Sequence, residues 1–187
     1  FSNVFDDTPL YDTGASGAGI GGNYQFNDNI NLTAGFMSNS GTAATPAQGV
    51  FIDNWSAMTQ LTGTTGKFEG ALALVYDYAE AGMAPFGGGG GTTTLGNALG
   101  GATSNVSVGL STKYSFSPRF ILSAFGAVGL TDIKDTSGDA TSYTAGLGFI
   151  LPDLFRDGNT GGLAVGIPPT VSDSSLIGVK DGNTPII

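Results

Sequence analysis

Cysteine and histidine do not occur in this sequence. No disulfide, catalytic thiol, imidazole base or Cys/His zinc site can therefore be built from it. Charge is scarce as well: only 11% of residues are charged, with 6 Lys and Arg against 15 Asp and Glu. The formal net charge of −9 disfavours nucleic acid as a partner. No apolar run approaches the roughly 20 residues of a membrane-spanning helix. The chain opens at Phe1 without a secretion signal, so any export reading places the targeting region outside these residues.

What is present is glycine, 32 residues of 187, without the strict period of collagen. Twelve Phe, six Tyr and many Leu and Val argue against disorder. The length suits one ordinary domain, or roughly eight to ten short membrane-spanning strands with their connections.

Period-two alternation recurs along most of the chain. Ala18, Ile20, Gly22, Tyr24 and Phe26 share one face, opposite Gly19, Gly21, Asn23 and Gln25. Asn27-Asp28-Asn29 reads as a tight turn, since Asn and Asp tolerate left-handed backbone angles. Ile30, Leu32, Ala34 and Phe36 then resume the apolar face. Three further hairpins follow, with strands around 51–61 and 67–78, 105–116 and 120–131, and 141–151 and 160–167. Short turns at 27–29, 62–66, 117–119 and 152–159, the last with room for a helical turn, alternate with long connections at 38–50, 79–104 and 132–140. A final long segment begins at Pro168-Pro169.

This alternation predicts an all-β, antiparallel transmembrane barrel with short periplasmic turns and longer extracellular loops. Tyr24, Phe26, Phe68, Tyr114, Phe116, Phe120, Phe149 and Phe155 crowd the short-turn end, as an interfacial aromatic belt would. The polar face is mostly Gly, Ser, Thr, Asn and Ala. A soluble barrel's water-facing exterior would carry far more Lys and Glu, so a wet interior with lipid outside fits better. A soluble secreted sandwich is the rival that this pattern disfavours.

The first strand runs toward a short turn and the last runs away from one, which predicts both termini on the extracellular side. About eight strands are then expected to be a piece of a larger barrel. Closure of eight strands into a small, plugged, structural or adhesive barrel is the alternative.

Leu10-Tyr11-Asp12-Thr13-Gly14, followed by Gly19-Ile20-Gly21-Gly22-Asn23-Tyr24-Gln25-Phe26, resembles a hairpin of the cyanobacterial branch of the OprB-type, carbohydrate-selective porins. Phe149-Ile150-Leu151-Pro152-Asp153-Leu154, Asp157-Gly158-Asn159, Gly161-Gly162-Leu163 and Val165-Gly166-Ile167-Pro168-Pro169 resemble that family's most recognisable turn and strand. The resemblance implies a barrel of about sixteen strands, usually trimeric, passing ions and small solutes across the outer membrane among lipid and lipopolysaccharide. It also implies an N-terminal peptidoglycan-binding module and closing strands that these residues do not include.

Gly17, Gly19 and Gly22 match a dinucleotide-loop spacing, but an alternating strand follows where that motif requires a helix. Gly87 to Gly91 lack the Lys-Ser/Thr of a phosphate loop. The 79–101 loop is a candidate constriction or a surface loop. Asn-X-Ser/Thr sequons at Asn31, Asn54 and Asn105 lie in or beside strands, and the acidic loops match no calcium pattern. No catalytic residue, cofactor or metal site is assigned, and an enzyme is not expected. The candidate pore-lining residues are Lys67, Glu69, Asp77 and Lys113, charges on the polar faces that either set the field for a permeating ion or pair to brace the wall.

Overall fold

In the computed structural model, residues 18–38, 54–80, 102–134 and 138–175 are described. They form eight strands: β1 (Ala18–Asn27), β2 (Ile30–Ser38), β3 (Trp55–Thr65), β4 (Phe68–Ala79), β5 (Thr103–Ser117), β6 (Phe120–Ile133), β7 (Gly138–Pro152) and β8 (Thr160–Ser174). The strands make one sheet in sequence order, β1 to β8, and every neighbouring pair is antiparallel. The sheet is open, with β1 at one edge and β8 at the other.

Turn chemistry sets the register of each hairpin. Asp28 and Asn29 link β1 to β2, and the Asn29 amide donates to Asn27 Oδ1 at 2.9 Å. Gly66 and Lys67 link β3 to β4, and Gly66 holds φ +57°, the left-handed angle that a two-residue hairpin turn needs. Pro118 and Arg119 link β5 to β6. The β7–β8 link has no helical segment. It is closed by Gly158 N donating to Asp153 Oδ1 at 2.8 Å and Leu154 N donating to Asn159 O at 3.2 Å.

Three boundaries differ from the sequence reading. The turn expected at 62–66 is Gly66 and Lys67, because β3 runs on to Thr65. The chain does not leave the sheet at Pro168-Pro169, because β8 runs on to Ser174. The prolines sit where the β7–β8 register shifts, between the Ala145–Ile167 and Tyr143–Thr170 pairs. A proline cannot donate to a ladder, but an edge strand with a bulge tolerates the missing N–H. The β6–β7 connection also shrinks, from nine expected residues to those between Ile133 and Gly138. Asp132 and Asp139 stand opposite each other there. Their repulsion is relieved by Lys134, 2.9 Å from Asp132, and by Ser175, whose hydroxyl donates to Asp139 Oδ1 at 3.0 Å. The long connections at 39–53 and 81–101, including the expected constriction loop, lie outside the described residues.

Strand pairing stacks like residues across the sheet. Leu32, Leu61, Leu72 and Leu110 follow one another in register from β2 to β5. On the opposite face, Ser56, Asp77, Asn105 and Thr131 do the same from β3 to β6. The first row is exposed or half-buried, whereas all four members of the second are buried.

A candidate channel wall and an exposed apolar face

The two faces of the sheet invert the soluble rule. Leu72, Leu110 and Leu130 are 50%, 54% and 56% exposed, while Ser107, Ser123 and Asp77 are each at 0%. Among the described residues, 22 large hydrophobic side chains are exposed. Covering a half-exposed one is worth about 1 kcal/mol, so together they amount to roughly 20 kcal/mol. That exceeds the ~5–15 kcal/mol by which a whole domain is stable. A contiguous surface of this kind calls for an apolar partner.

Aromatic rings bound this surface at both ends. At the short-turn end Phe116 packs on Tyr114 (centroids 4.7 Å) and Phe120 (5.3 Å), and Phe120 stacks on Phe149 at 6.0 Å. Tyr24 meets Phe26 edge-on at 5.0 Å. Phe155, also expected in this belt, lies in the β7–β8 turn at 98% exposure. At the other end Trp55 stacks against Phe36 (5.7 Å), Tyr76 (5.2 Å) and Tyr78 (6.1 Å). Sequence reasoning missed this second belt, because its members come from three strands and meet only through register. From Phe68 to Tyr78 is roughly 33 Å of strand, or about 25 Å at a ~40° tilt, the height of an outer-membrane apolar band. Between the belts the outward positions of β4, β5 and β6 include Leu72, Leu74, Val106, Val108, Leu110, Val128 and Leu130, with no charge among them. An apolar hollow of about 550 Å³ lies on this side, over Gly63 and Gly70, walled by Ile30, Leu61, Phe68, Leu72 and Leu110.

The inner face is built from small residues. Gly129 sits where a Cβ would come within 2.8 Å of Ser142 Oγ and 3.2 Å of Ser107 Oγ, so glycine there keeps room for hydroxyls on both neighbouring strands. Gly146 is overlain by the Phe125 ring, which would meet a Cβ at 2.3 Å. In β3 to β7, the charges on this face among the described residues are Glu69, Asp77 and Lys113.

The structure separates the four sequence candidates. Lys113 and Glu69 are directly opposite in β5 and β4 and form an ion pair at 2.6 Å, each side chain 21% exposed. Lys67 is not on a strand face: it occupies the β3–β4 turn, donates from Nζ to Phe116 O at 2.9 Å, and marks the short-turn rim. Asp77 lies near the other end of β4, roughly 27 Å along the strand from Glu69. Asn105 Nδ2 donates to Asp77 Oδ2 at 3.3 Å and to Ser107 Oγ at 2.8 Å, and Thr131 Oγ1 donates to Asn105 Oδ1 at 3.1 Å. Asn105 thus ties three strands across the face. Among the described residues no group of three or more acidic side chains is placed to hold a metal ion.

No family model matches the chain, and no solved structure matches it. It is similar to an uncharacterized protein of Synechocystis sp., 28% identical over 199 residues covering 95% of this chain and 36% of the relative. An uncharacterized protein of Nostoc sp. is 28% identical over 182 residues, covering 90% of this chain and 32% of the relative. The chain thus spans about a third of the length of the curated relatives it matches.

Proposed function

We propose that this chain forms part of the wall of a bacterial outer-membrane porin, a water-filled channel through which ions and small hydrophilic solutes, carbohydrates among them, diffuse passively. The observation that carries this reading is the charge-free apolar face bounded by two aromatic belts, backed by a face of Gly, Ser, Thr and Ala. Lipid is the environment in which the exposed leucines carry no cost, and small hydrophilic residues suit a wall past which solutes move.

The open edges bear on the barrel's size. In lipid each unpaired backbone N–H or C=O costs several kcal/mol. The β1 and β8 edges therefore call for further strands, and the greater length of the relatives leaves room for them. On this reading the eight strands belong to a larger barrel of the OprB-type that the sequence resembles. A homotrimer, contact with lipopolysaccharide, and wall anchoring through a separate N-terminal module are its corollaries.

The near-zero exposure of Ser107 and Ser123 favours a second reading, a plugged barrel with a structural role. Against it, side chains of this size leave an eight-stranded interior underfilled. Planar-bilayer recording of the full-length protein separates the two. The porin gives stepwise conductance in salt and sugar-driven swelling of liposomes. A plugged barrel inserts and gives neither.

A further inference from the structure

Asp77 is the one inner-face charge of β3 to β7 without an opposite charge across the strand. Glu69, on the same strand, has Lys113 directly opposite. Asp77 faces Ser56 on one side and Asn105 on the other, both neutral. The carboxylate is at 0% exposure, and its Oδ2 receives one hydrogen bond, from Asn105 at 3.3 Å. Its Oδ1 has no hydrogen-bond partner. Ser56, at 1% exposure, places its hydroxyl beside the carboxylate without a hydrogen bond of normal geometry. Two buried oxygens from adjacent strands thus share one spot, and at least one belongs to an anion.

A carboxylate this far from water is stable as an anion only beside a counter-charge. We infer that Asp77, with Ser56, forms a binding site for a partly dehydrated alkali cation on the inner face. This deepens the porin reading and rests on it, since a channel supplies the cation. The ion class follows from the ligand set. One negative charge and a hydroxyl suit a monovalent ion, whereas calcium takes six to eight oxygens with more carboxylate charge. Nor does a group of three or more acidic side chains gather at this spot among the described residues, and Ser56 and Asn105, the residues paired with Asp77, are neutral. Asp77 is two residues from the end of β4 at Ala79, roughly 7 Å along the strand, so the site lies close to the long-connection end of the sheet. A single charge also lets the ion leave, as conduction requires. Asn105 is a positioning residue: its bonds to Ser107 and Thr131 hold its amide toward Asp77.

The test is the reversal potential of the full-length protein in planar bilayers under a KCl gradient. Asp77→Asn lowers the K⁺ over Cl⁻ permeability ratio by roughly threefold to tenfold, the reach of one poorly screened charge. Asp157→Asn, the same charge change in the β7–β8 turn, leaves the ratio within about a factor of 1.5, because screening weakens a rim charge. Ser56→Ala keeps every charge and alters the K⁺ over Na⁺ ratio while sparing K⁺ over Cl⁻, and it serves should Asp77→Asn fail to assemble. An unchanged K⁺ over Cl⁻ ratio in Asp77→Asn, or an unchanged K⁺ over Na⁺ ratio in Ser56→Ala, overturns the site and leaves the porin standing. A wild-type protein that inserts and never conducts overturns both.

Discussion

The two faces of β4 are made by alternate residues of one twelve-residue strand, yet they obey opposite rules. Leu72, Leu74 and Tyr76 point out and are exposed, while Ala71, Ala73, Val75 and Asp77 point in and are buried. In a soluble sheet the larger apolar residues would be the buried ones. The difference teaches that burial here tracks side-chain size and polarity in reverse, as expected where the outer solvent is hydrocarbon. It also teaches that the inner face is where position matters finely, because there a hydroxyl or a charge has to find a partner.

The largest effect should come from breaking the outer face at mid-height. Leu72→Arg is expected to destabilise the full-length protein in liposomes by about 2–4 kcal/mol, whereas Leu163→Arg, in register with Phe149 in the belt at the short-turn end, costs about 0–1 kcal/mol. Urea unfolding followed by circular dichroism measures both. Equal small effects at the two depths would mean that water covers this face.

The inner face can be broken by size alone. Gly146→Ala puts a methyl into the Phe125 ring and should cost about 1–3 kcal/mol, and Phe125→Leu in the same protein should recover part of it. Gly22→Ala, a control on the apolar face with nothing within 4 Å of the added carbon, should stay within about 0.5 kcal/mol. If Gly146 tolerates alanine as well as Gly22 does, the inner wall around Phe125 is looser than the structure places it.

The smallest of the three effects is electrostatic. Glu69→Gln leaves Lys113 without its carboxylate and should cost about 1–2 kcal/mol, less than a fully buried pair because each partner is 21% exposed. Adding Lys113→Gln should restore most of the loss. The double-mutant cycle in the same unfolding assay gives the coupling.

Much of this was legible because strand faces need only a period of two. Leu72 against Ala73, or Leu110 against Ser111, could be assigned to opposite faces by counting. Register was harder to read. Glu69 and Lys113 were both candidates, but nothing local pairs residues on different hairpins, and the same holds for Asp77 with Asn105. The Trp55 belt was invisible because its rings meet only once the register of β2, β3 and β4 is fixed. Lys67 looked like a strand residue because it extends the alternation of β4 backwards, but Gly66, one residue earlier, holds a positive φ and leaves Lys67 in the turn. Pro168-Pro169 read as a stop because proline breaks ladders, and only an edge position with a bulge reverses that inference.

The most direct test of the account is a spin-label scan along β4 in the full-length protein in vesicles, one cysteine at a time at Leu72, Ala73, Leu74 and Val75. The account predicts that labels at 72 and 74 relax strongly with oxygen dissolved in lipid and weakly with a water-soluble nickel chelate, while 73 and 75 lose the oxygen response. Nickel access at 72 and 74 matching that of a turn position such as Asp157 would contradict it.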